Sequence, residues 1–225
     1  MRGAELLDWL SALPVRARDR ALEEYLGITG PAPVAPPLGP DSIGYHPSGV
    51  AAIVRALVDV PVQREDVLYD LGAGLGKVVL SAHLLTSVTA RGIEVQPALV
   101  AQARAAAARL GVETQVQFAV GNARDADLDS GTVFYLYAPF TGATLSAVLA
   151  RLERVATEHA IVVCALGVDL HRLAPWLVPR QSEAFWLTLY DSVVSGVAPR
   201  AAYTSAFAAR PSTDIVTLER DCPSR

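Results

Sequence analysis

The sequence predicts an α/β fold: a mostly parallel sheet with helices on both faces, behind an N-terminal helical cap. Two observations carry this. From residue 47 onward, short apolar runs alternate with amphipathic helical stretches, as they do in a sheet covered on both sides. At 225 residues and 52% hydrophobic composition, the chain can also bury one large core.

Residues 1–27 carry two helical patterns, the first with Leu6, Leu7, Trp9, Leu10 and Leu13, the second with Ala21, Leu22, Tyr25 and Leu26. Neither buries its apolar stripe alone. Pro14 separates them, because a proline inside a helix removes a hydrogen bond and clashes with the preceding turn. Residues 30–40 hold five prolines and read as an extended connector. We therefore divide the chain into an extension with its connector, 1–40, and a main domain, 41–225. The extension either covers the site or serves stability alone.

In the main domain, a helix at 47–59 leads into a strand at 66–70, a glycine loop and a helix at 77–87. A strand at 89–95 follows, then a helix at 97–110 with Leu99, Val100, Ala103, Ala107 and Leu110 on its apolar face and Gly111 closing it. Strands at 115–120 and 132–137 come next. A helix from about 141 presents Leu145, Val148, Leu149 and Leu152, and a strand covers 160–165. A short helix at 170–177 and two last strands, 185–194 and 213–218, complete the pattern.

Composition narrows the function classes. The apolar stretch 160–168 stops at Asp169 and is too short to span a bilayer, while Glu5 and Asp8 interrupt the first apolar stretch. A cytoplasmic protein is expected. Cys164 and Cys222 are the only cysteines, which argues against a disulfide framework or a metal cluster. Net charge is −4 and no basic run occurs, so nucleic acid is disfavoured as a partner.

The most informative stretch is 67–77, Val-Leu-Tyr-Asp-Leu-Gly-Ala-Gly-Leu-Gly-Lys. Gly72, Gly74 and Gly76 let the backbone turn sharply and approach a ligand, with the next helix aiming its N–H groups over the turn. A phosphate-binding P-loop needs a Gly five residues before the Gly-Lys pair and a Ser or Thr after it, but Leu71 and Val78 stand there. A dinucleotide fingerprint wants Gly-x-Gly-x-x-Gly, and the acidic Asp70 ahead of this loop would repel a pyrophosphate while suiting a cation. A glycine-rich structural turn is the competing reading.

The loop resembles motif I of the class I S-adenosylmethionine-dependent methyltransferases. That likeness implies a Rossmann-like seven-stranded sheet with a final antiparallel strand, and S-adenosyl-L-methionine as cofactor. Glu94, 18 residues beyond Gly76, ends the second strand where a carboxylate can accept from ribose hydroxyls. The resemblance places Val95 against the adenine. Gly121-Asn122-Ala123 resembles the family's Gly-Asp-Ala segment, with the Asn122 oxygen for the adenine amino group and the Ala123 N–H for a ring nitrogen. An ordinary Asx turn at Asn122 is the alternative.

Residues 43–49, Ile-Gly-Tyr-His-Pro-Ser-Gly, resemble a Tyr-x-Pro-Ser segment of the non-SET protein-lysine methyltransferases. The likeness implies that Tyr45 donates to the cofactor carboxylate, with Ser48 as helix N-cap. Tyr137-Ala138-Pro139-Phe140 lies where class I enzymes face the transferred methyl. Tyr137 and Ala138 replace the Asn/Asp-Pro of base and glutamine methylating enzymes, which leaves an aromatic lip suited to a cationic amine. Tyr137, Phe140 and His46 are the candidates for the chemistry, with His83 and His171 weaker as bases. The acceptor implied is an amine such as a protein lysine. A small metabolite, a non-catalytic cofactor-binding module and a nicotinamide oxidoreductase are the rivals.

Overall fold

The computed structural model describes residues 1–29, 41, 44, 46–180 and 186–200. Two helices open the chain, α1 (Gly3–Ala12) and α2 (Val15–Leu26), with Pro14 at the break between them. Then come α3 (Val50–Asp59), β1 (Val67–Leu71), α4 (Lys77–Thr86), β2 (Thr89–Glu94), α5 (Pro97–Leu110) and β3 (Val116–Val120). A short 3-10 turn at Ala123–Asp125 leads to β4 (Val133–Tyr137), α6 (Gly142–Glu158), β5 (Val162–Leu166), β6 (Leu177–Pro179) and β7 (Leu187–Ser192). Tyr45, Cys222 and the strand expected at 213–218 lie outside the described residues.

The strands form one sheet in the order β3-β2-β1-β4-β5-β7-β6. All run parallel except β7, which is antiparallel to both β5 and β6. Construction starts at β1, proceeds outward to β3, then returns to place β4 on the other side of β1. In such sheets ligands bind outside the strand C-termini at the point where the order reverses. Here that point is the crevice between β1 and β4.

Alternating side chains feed two cores. Leu68, Val133, Tyr135, Cys164 and Leu189 pack with α1 to α5 on one face, and Leu71, Phe134, Leu136, Val163 and Tyr190 pack with α6 on the other. The N-terminal helices share the first of these cores through Leu6, Leu10, Leu22 and Leu26. Polar ties fasten them as well. Arg18, buried, donates to the carbonyls of Leu13 (3.0 Å) and Ser11 (3.0 Å) at the end of α1, and Arg109 of α5 donates to Tyr25 O at the end of α2 (2.6 Å).

The structure corrects two local expectations. The helix expected at 170–177 amounts to one turn, with Ala174 N–H on Leu170 O at 2.9 Å, and the chain then extends into β6 from Leu177. Pro175 explains this: it has no N–H to continue a helix and pushes the residue before it toward extended backbone. Ser48 does not cap α3. Its first N–H, at Val50, goes instead to Asp19 Oδ1 of α2 (2.8 Å), and Ser48 itself is buried.

Candidate active site

The glycine loop is set by what surrounds it. Gly72, Gly74 and Gly76 all take positive φ, at 99°, 53° and 81°. A Cβ on Gly72 would lie 2.4 Å from Pro139 Cβ, and one on Gly76 2.5 Å from Phe118 Cζ. The loop therefore runs between the exit of β4 and a ring from β3 with no room for side chains at these two positions. Ile93 O accepts from the N–H groups of Gly72 (2.9 Å) and Ala73 (3.0 Å), binding the turn to the end of β2.

Glu94 completes that attachment. Its Oε2 accepts from Gly74 N–H (3.0 Å) and its Oε1 from Gln96 N–H (2.9 Å), with the residue only 7% exposed. Asp70, 4% exposed, lines the same cleft. Burial, and then the nearby Glu94, push its carboxyl up to about 8. Two acids so close in low dielectric favour holding a proton or admitting a cation.

Lys77 opens α4 where a P-loop would put its phosphate-binding lysine. Its Nζ donates to Asp19 Oδ1 (2.6 Å) and Glu23 Oε1 (2.8 Å) of α2. The ammonium is thus committed to the N-terminal helices, in agreement with the missing P-loop residues. Asp19 Oδ1 joins three elements, since it accepts from both Lys77 and the first N–H of α3.

A cleft lies at the β1/β4 crevice, outside the strand C-termini. Asp70, Gly72, Glu94, Val95, Asn122 and Ala123 line it, and so do His46, Tyr137 and Phe140. Asn122 Oδ1 accepts from Arg124 N–H (3.1 Å), so the Asx turn forms, while a carbonyl oxygen keeps a second lone pair for another donor. Val95 is 40% exposed and offers a flat apolar face.

On the β4 side, Tyr137 is 42% exposed whereas Phe140 is buried in the α6 core. Ala138 between them takes φ 36°, a left-handed conformation that costs an alanine energy and that clusters at functional sites. A Cβ on Gly167, just after β5, would lie 3.8 Å from Tyr137 Cε2, so that ring lies beside the exit of β5. The segment before α3 is tied to the same end: Asp41 O accepts from Thr141 N–H (2.8 Å) and Asp41 Oδ2 from Thr144 N–H (3.2 Å), capping α6 from 103 residues away. Sequence reading missed Asp41, Gln96 and Thr144. Gln96 adjoins Val95 and was within reach of motif reasoning, but nothing in the sequence links Asp41 to α6.

These features fit S-adenosylmethionine. Glycines press the loop against its neighbours, Asp70 and Glu94 are acidic groups suited to a cationic ligand, and the lysine that would hold a phosphate is paired with two carboxylates of α2. No protein-family model matches the chain. An RNA methyltransferase from Salinibacter ruber, solved with S-adenosyl-L-homocysteine, is 29% identical, with a TM-score of 0.55 over 69% of this chain and 98% of that one. The yhhF protein of Escherichia coli, 20% identical over 68% of this chain and 91% of its own, has a TM-score of 0.52 and shares the fold. A protein-lysine N-methyltransferase of Saccharolobus islandicus is 27% identical over 96 residues, 42% of this chain and 60% of that protein. The fold is that of the class I S-adenosylmethionine-dependent methyltransferases, and S-adenosylmethionine is the cofactor that this likeness supports. Among the described residues, no helix is long and apolar enough to cross a membrane.

Proposed function

We propose that the protein is an amine N-methyltransferase whose acceptor is a protein lysine. The observation that carries this is the exposed Tyr137 ring at the mouth of an acid-lined cleft, with Tyr137 and Ala138 in place of the amide or acid that would accept a base or glutamine N–H. Aromatic faces attract cationic amines. The partial likeness to a lysine methyltransferase supports the same acceptor.

S-adenosylmethionine supplies an already activated methyl group. The residues of this chain have the simpler tasks of positioning, excluding water and removing a proton. Glu94, which holds the loop through Gly74, would take the ribose end of that cofactor, with Val95, Asn122 and Ala123 available to its base. Asp70 would face its cationic end. Tyr137 and Phe140 flank the acceptor path, and His46, the one imidazole among the described cleft-lining residues, takes the proton from the amine. Helices α1 and α2 form a cap fastened through Lys77 to the catalytic domain.

The test is incubation of the purified chain with methyl-labelled cofactor and a cell extract, followed by fractionation. Label on protein, released as methyl-lysine on hydrolysis, is the expected result. Label confined to small metabolites or to RNA overturns the acceptor assignment, and no label despite cofactor binding overturns the enzyme.

A further inference from the structure

Lys77, the only lysine of the chain, opens α4 directly behind the glycine loop, and although it is 4% exposed it lines the cleft. A buried ammonium is costly unless an acid meets it. Asp70 and Glu94 line the same cleft, yet among the described hydrogen bonds neither accepts from it. Its bonds go instead to α2, to Asp19 Oδ1 at 2.6 Å and Glu23 Oε1 at 2.8 Å. These two acids stand four residues apart on one face of that helix, where like charges repel unless a cation lies between them. Apolar packing does not call for them: α2 enters the core through Leu22 and Leu26, while the Asp19 and Glu23 side chains are 53% and 31% exposed. Asp19 also takes the first N–H of α3, the helix that follows the cleft-lining Pro47 and Ser48.

We propose that Asp19 and Glu23 are positioning residues that set the charge of the cleft from outside it. By holding and neutralising the Lys77 ammonium they leave the acidity of Asp70 and Glu94 to a sulfonium, and the N-terminal helices thereby help to tell the cationic cofactor from its product. This rests on the cofactor assignment. S-adenosylmethionine and S-adenosylhomocysteine differ by one methyl group and by the positive charge on sulfur. An unneutralised cation beside the site therefore acts on the first far more than on the second, and inside a protein it is felt more strongly than in water. Without the acids of α2, the carboxylates left to the ammonium in the cleft are Asp70 and Glu94. Pairing with either one takes away an acid that the sulfonium would use.

The experiment is calorimetric titration of the full chain with each of these two ligands, at one pH and low salt. It compares the native sequence, the double variant Asp19→Asn/Glu23→Gln, and that pair combined with Lys77→Met. The amides keep oxygen acceptors for Lys77 and for the Val50 N–H and remove only the negative charge. In the double variant S-adenosylmethionine binds about fivefold or more weakly, S-adenosylhomocysteine stays within about twofold, and adding Lys77→Met returns their ratio to the native one. An unchanged ratio overturns the inference, and so does an equal loss for both ligands, the signature of packing alone. A deficit that persists without Lys77 overturns it too. If the native chain binds neither ligand, the cofactor assignment falls instead. Thermal unfolding of the ligand-free protein checks the fold. Should the double variant be destabilised, Glu23→Gln alone, with Asp19 still on Lys77 and Val50, repeats the comparison with an expected change in the ratio of about two- to threefold.

Discussion

The two ends of the cleft are built differently. Around β1, β2 and the glycine loop, the contacts come from backbone N–H groups, buried acids and positions with no space for a Cβ. Around β4 and the segment before α3, the groups are an exposed tyrosine, an exposed imidazole and an alanine in an uncommon conformation. The first end accommodates one ligand with little freedom to vary. The second depends on exposed side chains that could change without disturbing the fold, as an acceptor site can.

The difference is open to test, starting with the largest effect. Gly76→Val places a branched side chain at positive φ and into Phe118, at a cost of about 2–4 kcal/mol in strain and overpacking. Loss of S-adenosylhomocysteine binding, or of the folded state in a thermal melt, is the expected outcome. Binding within about twofold of native would mean that the cofactor end is as tolerant as the acceptor end.

Glu94→Ala is next, since it strips the acceptor from the buried N–H groups of Gly74 and Gln96. A drop of about 1–3 kcal/mol in unfolding free energy, with at least tenfold weaker cofactor binding, is expected by denaturant titration and calorimetry. At the other end, Tyr137→Ala leaves S-adenosylhomocysteine affinity within about twofold and lowers turnover about tenfold. Equal losses of binding and turnover would erase the distinction between the ends. Phe140→Ala is a poorer probe, because the ring is 7% exposed in the α6 core and its removal costs about 3–5 kcal/mol of stability.

The smallest effect falls on Lys77. A P-loop lysine would be indispensable to ligand binding, but this one is paired with Asp19 and Glu23. Lys77→Met keeps cofactor affinity within about threefold and loosens α2, measurable as faster amide exchange in residues 15–26 with no matching change in α6. Loss of binding beyond tenfold would return this lysine to the ligand.

Much of this was legible in the sequence where local rules apply. The strand before the glycines, the left-handed glycines and the α5 stripe closed by Gly111 each depend on neighbours within a few residues, and β1 to β5 appear within a residue or two of their expected places. The misreadings arose where tertiary contacts overrode local pattern. Ser48 looked like a cap because Ser-Gly precedes a helix, but Asp19, 31 residues upstream, takes the Val50 N–H. An apolar pattern at 170–177 suggested a helix, and the signal against it, Pro175, was present but given too little weight.

By itself the sequence determined the glycine loop. Positive φ, close backbone approach and the refusal of a phosphate are properties of glycine spacing and one acid, and they travel with the residues. Only the tertiary structure decided that Lys77 pairs with α2, that Asp41 caps α6, and that Tyr135 lies buried beside the strand that carries Asp70. Those facts depend on groups tens of residues apart meeting in a packed interior, where partners are chosen by burial and register, not by distance along the chain.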